Sequence, residues 1–222
     1  LAESTSPSKH PARFSKAVLT AIRPHLLNLT PTQVHDPFAG PGNRLAALCD
    51  DLGIPFSGCD IEDWPGKDHR VIVGDSTEVG TYPLVPFVVV TSPVYPNGMA
   101  DHFLPKDTSK RYTYRTSLGR PLHVNNAGRY SVRRGGSAET QYWTIQRQAV
   151  RHWQGYPALV NVSDFIFKHQ VYPLVAAWRG LLWQHGYTVT TFEVTTPRMR
   201  NGANRTVRAK GEALLIALPA VV

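Results

Sequence analysis

The sequence predicts an α/β domain built on an open, doubly wound, mostly parallel sheet of seven strands that ends in an antiparallel hairpin. Three observations carry this. Short apolar runs alternate with stretches of helical period, a glycine-bearing turn joins the first run to the helix after it, and the last two runs have no helix between them. A chain of 222 residues fits one domain, 1–222, large enough to bury roughly 70% of the surface its unfolded form exposes.

Residues 1–9 are polar, carry Ser and Pro, and read as a loose arm. Phe14, Val18, Ile22 and Leu26 recur every four residues and predict a helix. Pro11 suits its first turn, and Pro24 predicts a kink or early stop. Val34 and His35 form a short strand entering the glycine turn, after which Leu45, Ala46, Leu48 and Leu52 mark a helix closed by Gly53. Residues 54–61 read as the second strand, 71–73 as the third, and 87–90 as a continuous apolar fourth of the kind buried on both faces. Residues 158–162 supply the fifth. Val171, Leu174, Val175, Trp178, Leu181 and Leu182 share a helical face that Gly186 ends. Residues 187–194 and 213–218 finish as antiparallel neighbours. Ligands of such a sheet bind at the carboxyl ends of its strands.

The formal charge is +8 and the pI near 9.7, which favours a polyanionic partner. Its placement is informative. Residues 104–155 hold ten Lys or Arg against two acids, and the rest of the chain carries fourteen of each sign. No run of about 18 apolar residues predicts a membrane span, and the first residues lack the pattern of a secretory signal. A soluble cytoplasmic protein without membrane contact is expected. Cys49 and Cys59 are too few for a zinc site or a disulfide framework, and His35, His69 and His169 have no ligand spacing. No metal is expected.

Asp36-Pro37-Phe38-Ala39-Gly40-Pro41-Gly42 joins a strand to a helix, where glycines let the backbone approach a ligand and helix N–H groups face it. The spacing lacks the third glycine of a dinucleotide fingerprint, and no Gly-Lys-Ser/Thr follows as in a phosphate loop. NAD and ATP are therefore disfavoured. Asp60 ends the second strand with Glu62 beyond it, placed for a carboxylate to hold two ribose hydroxyls. Asp75, past the third strand, is placed to accept from an adenine amine.

With these residues assembled, the sequence resembles the amino-methyltransferases of DNA, from about Ser8 to Leu218. The family's cofactor loop looks like residues 36–42, its ribose acid like Asp60 and its adenine-side acid like Asp75. Its amino-terminal element at the methionine end of the cofactor looks like residues 9–14, including His10 and Phe14. The resemblance implies a Rossmann-like methyltransferase sheet, S-adenosyl-L-methionine as methyl donor, and no metal. Family members carry Asp, Asn or Ser, then Pro-Pro and an aromatic, after the fourth strand; here the run is Ser92-Pro93-Val94-Tyr95.

An exocyclic base amine is a poor nucleophile because its lone pair is conjugated into the ring. The Ser92 hydroxyl and the Pro93 carbonyl are expected to accept its hydrogens, and Tyr95 to stack on the base. The base lies inside duplex DNA, so flipping it out is also implied. Ser in the first position leans toward cytosine N4 over adenine N6. Val94 replaces the family's second proline, which is expected to loosen the turn and add an N–H donor. Cytosine C5 methylation needs a thiolate beside the base, and neither cysteine is near this run. The Cys-x-x-Cys of zinc deaminases is absent.

The basic insert 104–155 mixes its cations with Tyr112, Tyr114, Tyr130, Tyr142, Trp143 and Trp153. Cations neutralise phosphates and aromatics stack on exposed bases, so the insert is the expected DNA face, with Arg111, Arg115, Arg133 and Arg134 as contacts. Asn161-Val162-Ser163-Asp164-Phe165 resembles a family block lining the base pocket, with Asp164 structural rather than catalytic. The cations and amides of residues 196–205 are a further candidate contact. Two competing readings are an RNA base amine methyltransferase and a catalytically silent DNA-binding protein of the same fold; a small-molecule methyltransferase leaves the insert's charge unexplained. No large recognition domain is evident, so relaxed specificity, or a separate specificity or restriction partner, is expected.

Overall fold

The computed structural model describes residues 14–96, 118–130, 136–167, 170–195 and 211–220. The expected arm, His10, Pro11, Arg111, Tyr112, Tyr114, Arg115, Arg133, Arg134 and the 196–205 loop lie outside them. Four helices, α1 (Lys16–Leu29), α2 (Asn43–Leu52), α3 (Gly136–Trp153) and α4 (Leu174–Gln184), accompany nine strands among the described residues. The strands are β1 (Val34–Asp36), β2 (Phe56–Asp60), β3 (Val71–Val73), β4 (Val88–Thr91), β5 (Ala158–Val162), β6 (Phe165–Phe167), β7 (Gln170–Tyr172), β8 (Tyr187–Val194) and β9 (Glu212–Pro219).

The main sheet has seven strands in the order β3-β2-β1-β4-β5-β9-β8. The pairs from β3 to β5 are parallel, and β9 is antiparallel to both β5 and β8. The expected seven strands and terminal hairpin are present, with the last strand inserted between β5 and β8. β6 and β7 form a separate hairpin, closed by stacked Phe165 and Tyr172 rings 4.9 Å apart.

Alternation along the strands sends side chains to two cores, one on each face. Val34, Val88, Val90, Leu159 and Leu214 pack with Val18, Ile22 and Leu26 of α1 and Leu45, Ala46 and Cys49 of α2. Val89, Ala158, Val160, Val162, Leu215 and Ala217 pack on the opposite face with Val150 and Trp153 of α3 and Trp178, Leu181 and Leu182 of α4. Burying each such Val or Leu stabilises the fold by about 1.5–3 kcal/mol relative to leaving it exposed. These two layers fix the strand ends that form the site.

Several local expectations are corrected. α1 begins at Lys16, where Ser15 caps it by accepting from the Val18 N–H at 3.2 Å. The helix runs through Pro24 without stopping. Pro24 and Thr20, whose carbonyl loses its donor, are both exposed, so water satisfies that group while Val18, Ile22 and Leu26 hold both halves on the core. Ile54 precedes β2, the fourth strand is shifted to 88–91, and Val171 belongs to β7 rather than to the α4 face. His185 caps α4, with Gly186 following at φ 79°.

The largest correction concerns the basic insert, since its residues 136–153 are the core helix α3. Tyr142 and Trp153 are fully buried and cannot stack on bases. Their spacing with Ile145, Ala149 and Val150 is that of an amphipathic helix face.

Candidate active site

The sheet order reverses between β1, which pairs with β2 on one side and β4 on the other, so the turns after β1 and β4 diverge and leave a crevice. Residues 36–42 form its floor, held by a bond within the turn and by two to the end of β2. Asp36 Oδ1 accepts from the Phe38 N–H at 3.0 Å, Ala39 N–H donates to the Cys59 carbonyl at 3.0 Å, and Gly40 N–H donates to Asp60 Oδ2 at 2.8 Å. Gly40 and Gly42 have φ of 54° and 71°, a conformation costing about 1–2 kcal/mol in other residues. A Cβ at Gly42 would also lie 2.5 Å from Val71 Cγ2. Both constraints let the amino end of α2 come down against β2 and β3.

A cavity open to solvent occupies the crevice. Phe14, Asp36, Phe38, Ala39, Gly40, Gly42, Asp60, Asp75 and Ser92 all line it, so the described cofactor candidates and the first residue of the run share one space. Trp64, Ser76, Asn125, Asn126, Ala127 and Ile145 are among the further lining residues, to which the sequence assigned no role in the site. Phe14 is held there because the Arg44 guanidinium donates to its carbonyl at 2.7 Å.

The acids differ in their spare capacity. Asp60 Oδ2 accepts from Gly40, and Oδ1 from the Glu62 N–H at 2.9 Å and the Trp64 indole at 3.0 Å. Three of about four acceptor positions are thus filled, leaving one for a hydroxyl rather than the two-point grip expected. Burial pushes the Asp60 carboxyl up to about 6, against the pull of the Glu62 and Gly40 N–H bonds. Asp75 spends Oδ1 on the N–H and hydroxyl of Thr77, at 2.9 and 2.8 Å, and has Asn125 Nδ2 at 3.4 Å from Oδ2. It retains room for a donor. Asp36 is buried, its carboxyl pushed up to about 7 chiefly by desolvation, and it organises the turn.

The run after β4 is anchored from elsewhere. Asn161 Nδ2 donates to Ser92 Oγ at 3.4 Å and to Glu212 Oε2 at 2.8 Å. The Tyr142 hydroxyl donates to the Val94 carbonyl at 3.0 Å, and the Val94 side chain packs with Ala127, Tyr142 and Ile145. The expected loosening at Val94 is therefore opposed by an anchor from α3. Pro93 and Tyr95 are not among the lining residues: Pro93 is buried, and Tyr95 packs on the second core with its hydroxyl 3.3 Å from Ser163 Oγ. Asp164 Oδ1 accepts from the Val175 N–H at 2.9 Å, a structural use at the start of α4.

Both cysteines are buried, and burial pushes their thiols up to about 12, so neither offers a thiolate at neutral pH. Among the described residues, no group of three or more His, Cys, Asp or Glu is placed to hold a metal. No helix among them is long and apolar enough to cross a membrane.

No protein-family model and no curated protein sequence matches the chain. Solved structures do. The methyltransferase domain of bacterial CtHen1 superposes with a TM-score of 0.51 at 11% identity, covering 91% of this chain and 98% of that one. A Burkholderia thailandensis 1,6-didemethyltoxoflavin-N1-methyltransferase, with bound S-adenosylhomocysteine, gives 0.45 at 14% identity over 91% and 77%. A SAM dependent methyltransferase from Archaeoglobus fulgidus gives 0.44 at 14% over 90% and 93%. With β9 antiparallel between β5 and β8 on an otherwise parallel sheet, this chain has the Rossmann-like fold of methyltransferase domains.

Proposed function

We propose that this protein transfers a methyl group from S-adenosylmethionine to an exocyclic amine of a DNA base, N4 of cytosine ahead of N6 of adenine. One observation carries the reading: Ser92 opens into the same cavity as the glycine turn, Asp60 and Asp75. An acceptor for an amine thus shares a space with residues suited to a nucleoside. S-adenosylmethionine supplies an electrophilic methyl on a sulfonium centre. Phe14 and residues 38–42 would border the cofactor, Asp60 would take one ribose hydroxyl, and Asp75 would accept from its adenine amine.

Ser92 Oγ accepts a hydrogen from the substrate amine, with the Asn161 carboxamide fixing its position from behind. The amine nitrogen then forms its bond to the methyl carbon as the carbon–sulfur bond breaks, and its surplus proton leaves to water. The preference for cytosine rests on Ser in place of Asp or Asn. The preference for nucleic acid rests on charge. Tyr142 and Trp153 no longer contribute to it, so Lys106, Lys110, Arg111, Arg115, Arg133 and Arg134 carry the weight, together with Arg129 and Arg151, which belong to the same insert and are exposed.

Transfer of labelled methyl to duplex DNA, single-stranded DNA and RNA, followed by nucleoside analysis, tests the proposal. N4-methylcytosine in duplex DNA, lost in Ser92→Ala, is the expected result. Transfer confined to RNA, or no binding of S-adenosylhomocysteine, would overturn it. Neutralising Arg133 and Arg134 together should flatten the salt dependence of DNA binding by about two units of slope; an unchanged slope would remove the insert as the DNA face.

A further inference from the structure

Glu62, two residues beyond Asp60, does not line the cavity. Its side chain is 0% exposed. Oε1 accepts from the His123 N–H at 2.6 Å and from Asn126 Nδ2 at 2.9 Å, and Oε2 pairs with the Arg120 guanidinium at 2.8 Å. All three donors come from residues 120–126, a stretch without regular structure before the short 3-10 turn Ala127–Arg129. A carboxylate withdrawn from water requires such donors, so its burial ties this stretch to the end of β2.

The tied stretch borders the cavity through Asn125, Asn126 and Ala127. The Asn126 carboxamide is consumed internally, Nδ2 on Glu62 and Oδ1 accepting from the Gly128 N–H at 2.8 Å. Asn125 is different. It is exposed, and its carboxamide Nδ2 donates to Asp75 Oδ2 at 3.4 Å.

We infer that Glu62 is a latch holding residues 120–130 as one wall of the cofactor cavity, and that Asn125, paired with Asp75, reads the amino edge of the purine. The inference rests on the cavity being a S-adenosylmethionine site. Adenine offers a donor at its 6-amino group and an acceptor at N1. Asp75 Oδ2 accepts from the former, and Asn125 Nδ2 donates to the latter. Hypoxanthine reverses both, with an acceptor at O6 and a donor at N1, so the pair rejects it. Glu62 and Arg120 are positioning residues; Asn125 touches the ligand.

Calorimetric titration of the full chain with S-adenosylhomocysteine and with S-inosylhomocysteine tests this. Wild type, Asn125→Ala, Arg120→Ala and Arg120→Lys are compared, with thermal melts to verify folding. Asn125 and the 46% exposed Arg120 side chain are outside the core. Asn125→Ala should bind the adenosyl ligand about tenfold more weakly and lose most of the discrimination against the inosyl one. Arg120→Ala should weaken both ligands and speed their release, and Arg120→Lys should restore part of the loss. A wild type that binds S-adenosylhomocysteine, with both alanine variants matching it in affinity and discrimination, overturns the latch alone. A wild type that binds neither ligand overturns the cofactor reading and the latch with it.

Discussion

The turn after β1 is held by its own backbone and by Asp36 and Asp60, whereas the run after β4 is held by side chains arriving from α3, β5 and β9. Gly40 N–H on Asp60 and Phe38 N–H on Asp36 bind the first, through its main chain, to its own strand and to the end of β2. Ser92 and Val94 take their positions from Asn161 and Tyr142. Damage to the first should therefore appear in stability and cofactor affinity, and damage to the second in turnover.

The harshest way to break this contrast is Gly42→Ala, which combines a φ of 71° with a Cβ 2.5 Å from Val71. A loss of about 4 kcal/mol in urea unfolding is expected; a loss under about 1 kcal/mol would mean the turn is not rigid.

Next come the adjacent buried groups of β1. The Asp36 carboxyl, pushed up to about 7 by burial, binds its proton more tightly in the fold than unfolded. Its contribution is fullest below about pH 4 and falls as pH rises to about 7. His35, lowered by burial to about 4, has the opposite sense, contributing fully above about pH 6.5 and losing that as pH falls to about 4. Relative to wild type, Asp36→Asn should make stability rise more with pH across this window, and His35→Gln should make it fall more, each by on the order of 3 kcal/mol. Difference curves of the same sign would contradict the assignment.

Smaller again, Asp60→Asn should weaken S-adenosylhomocysteine about tenfold, or about 1.4 kcal/mol, while kcat at saturating cofactor stays near wild type. A fall in kcat with unchanged affinity would erase the distinction between the two turns. The smallest change is Tyr142→Phe, which removes the donor to the Val94 carbonyl. About 1 kcal/mol of stability and a several-fold drop in kcat are expected, with KM for the cofactor unmoved; unaltered turnover would show that Val94 needs no anchor.

The same contrast explains what was legible beforehand. The glycine turn and Asp60 announce themselves because positive φ and strand-end carboxylates require particular residues at particular places. β4 and β5 read clearly because strands buried on both faces are continuously apolar. α3 carries a helical signal in the spacing of Tyr142, Ile145, Ala149 and Trp153, overlaid by the cations interspersed with it. Asn125 gave no local signal, and Glu62 and Asn161, though they stand in recognisable places in the sequence, acquire their roles from contacts made across the fold. Val171 followed the apolar pattern of α4 and was claimed by the β6–β7 hairpin, whose stacked Phe165 and Tyr172 are distant enough in sequence to hide it.

The insertion of β9 between β5 and β8 bears on how the molecule assembles. β8 leaves α4 before its partner exists, and every one of its ladder bonds within the sheet is to β9. β5, whose five residues are all buried, presents an edge of unpaired backbone N–H and C=O groups until β9 arrives. The sheet therefore closes by a late, non-local event, of the kind that slows folding. During synthesis that edge is open to pairing with the wrong strand, a window of vulnerability that shuts when the stretch from Glu212 to Pro219 docks.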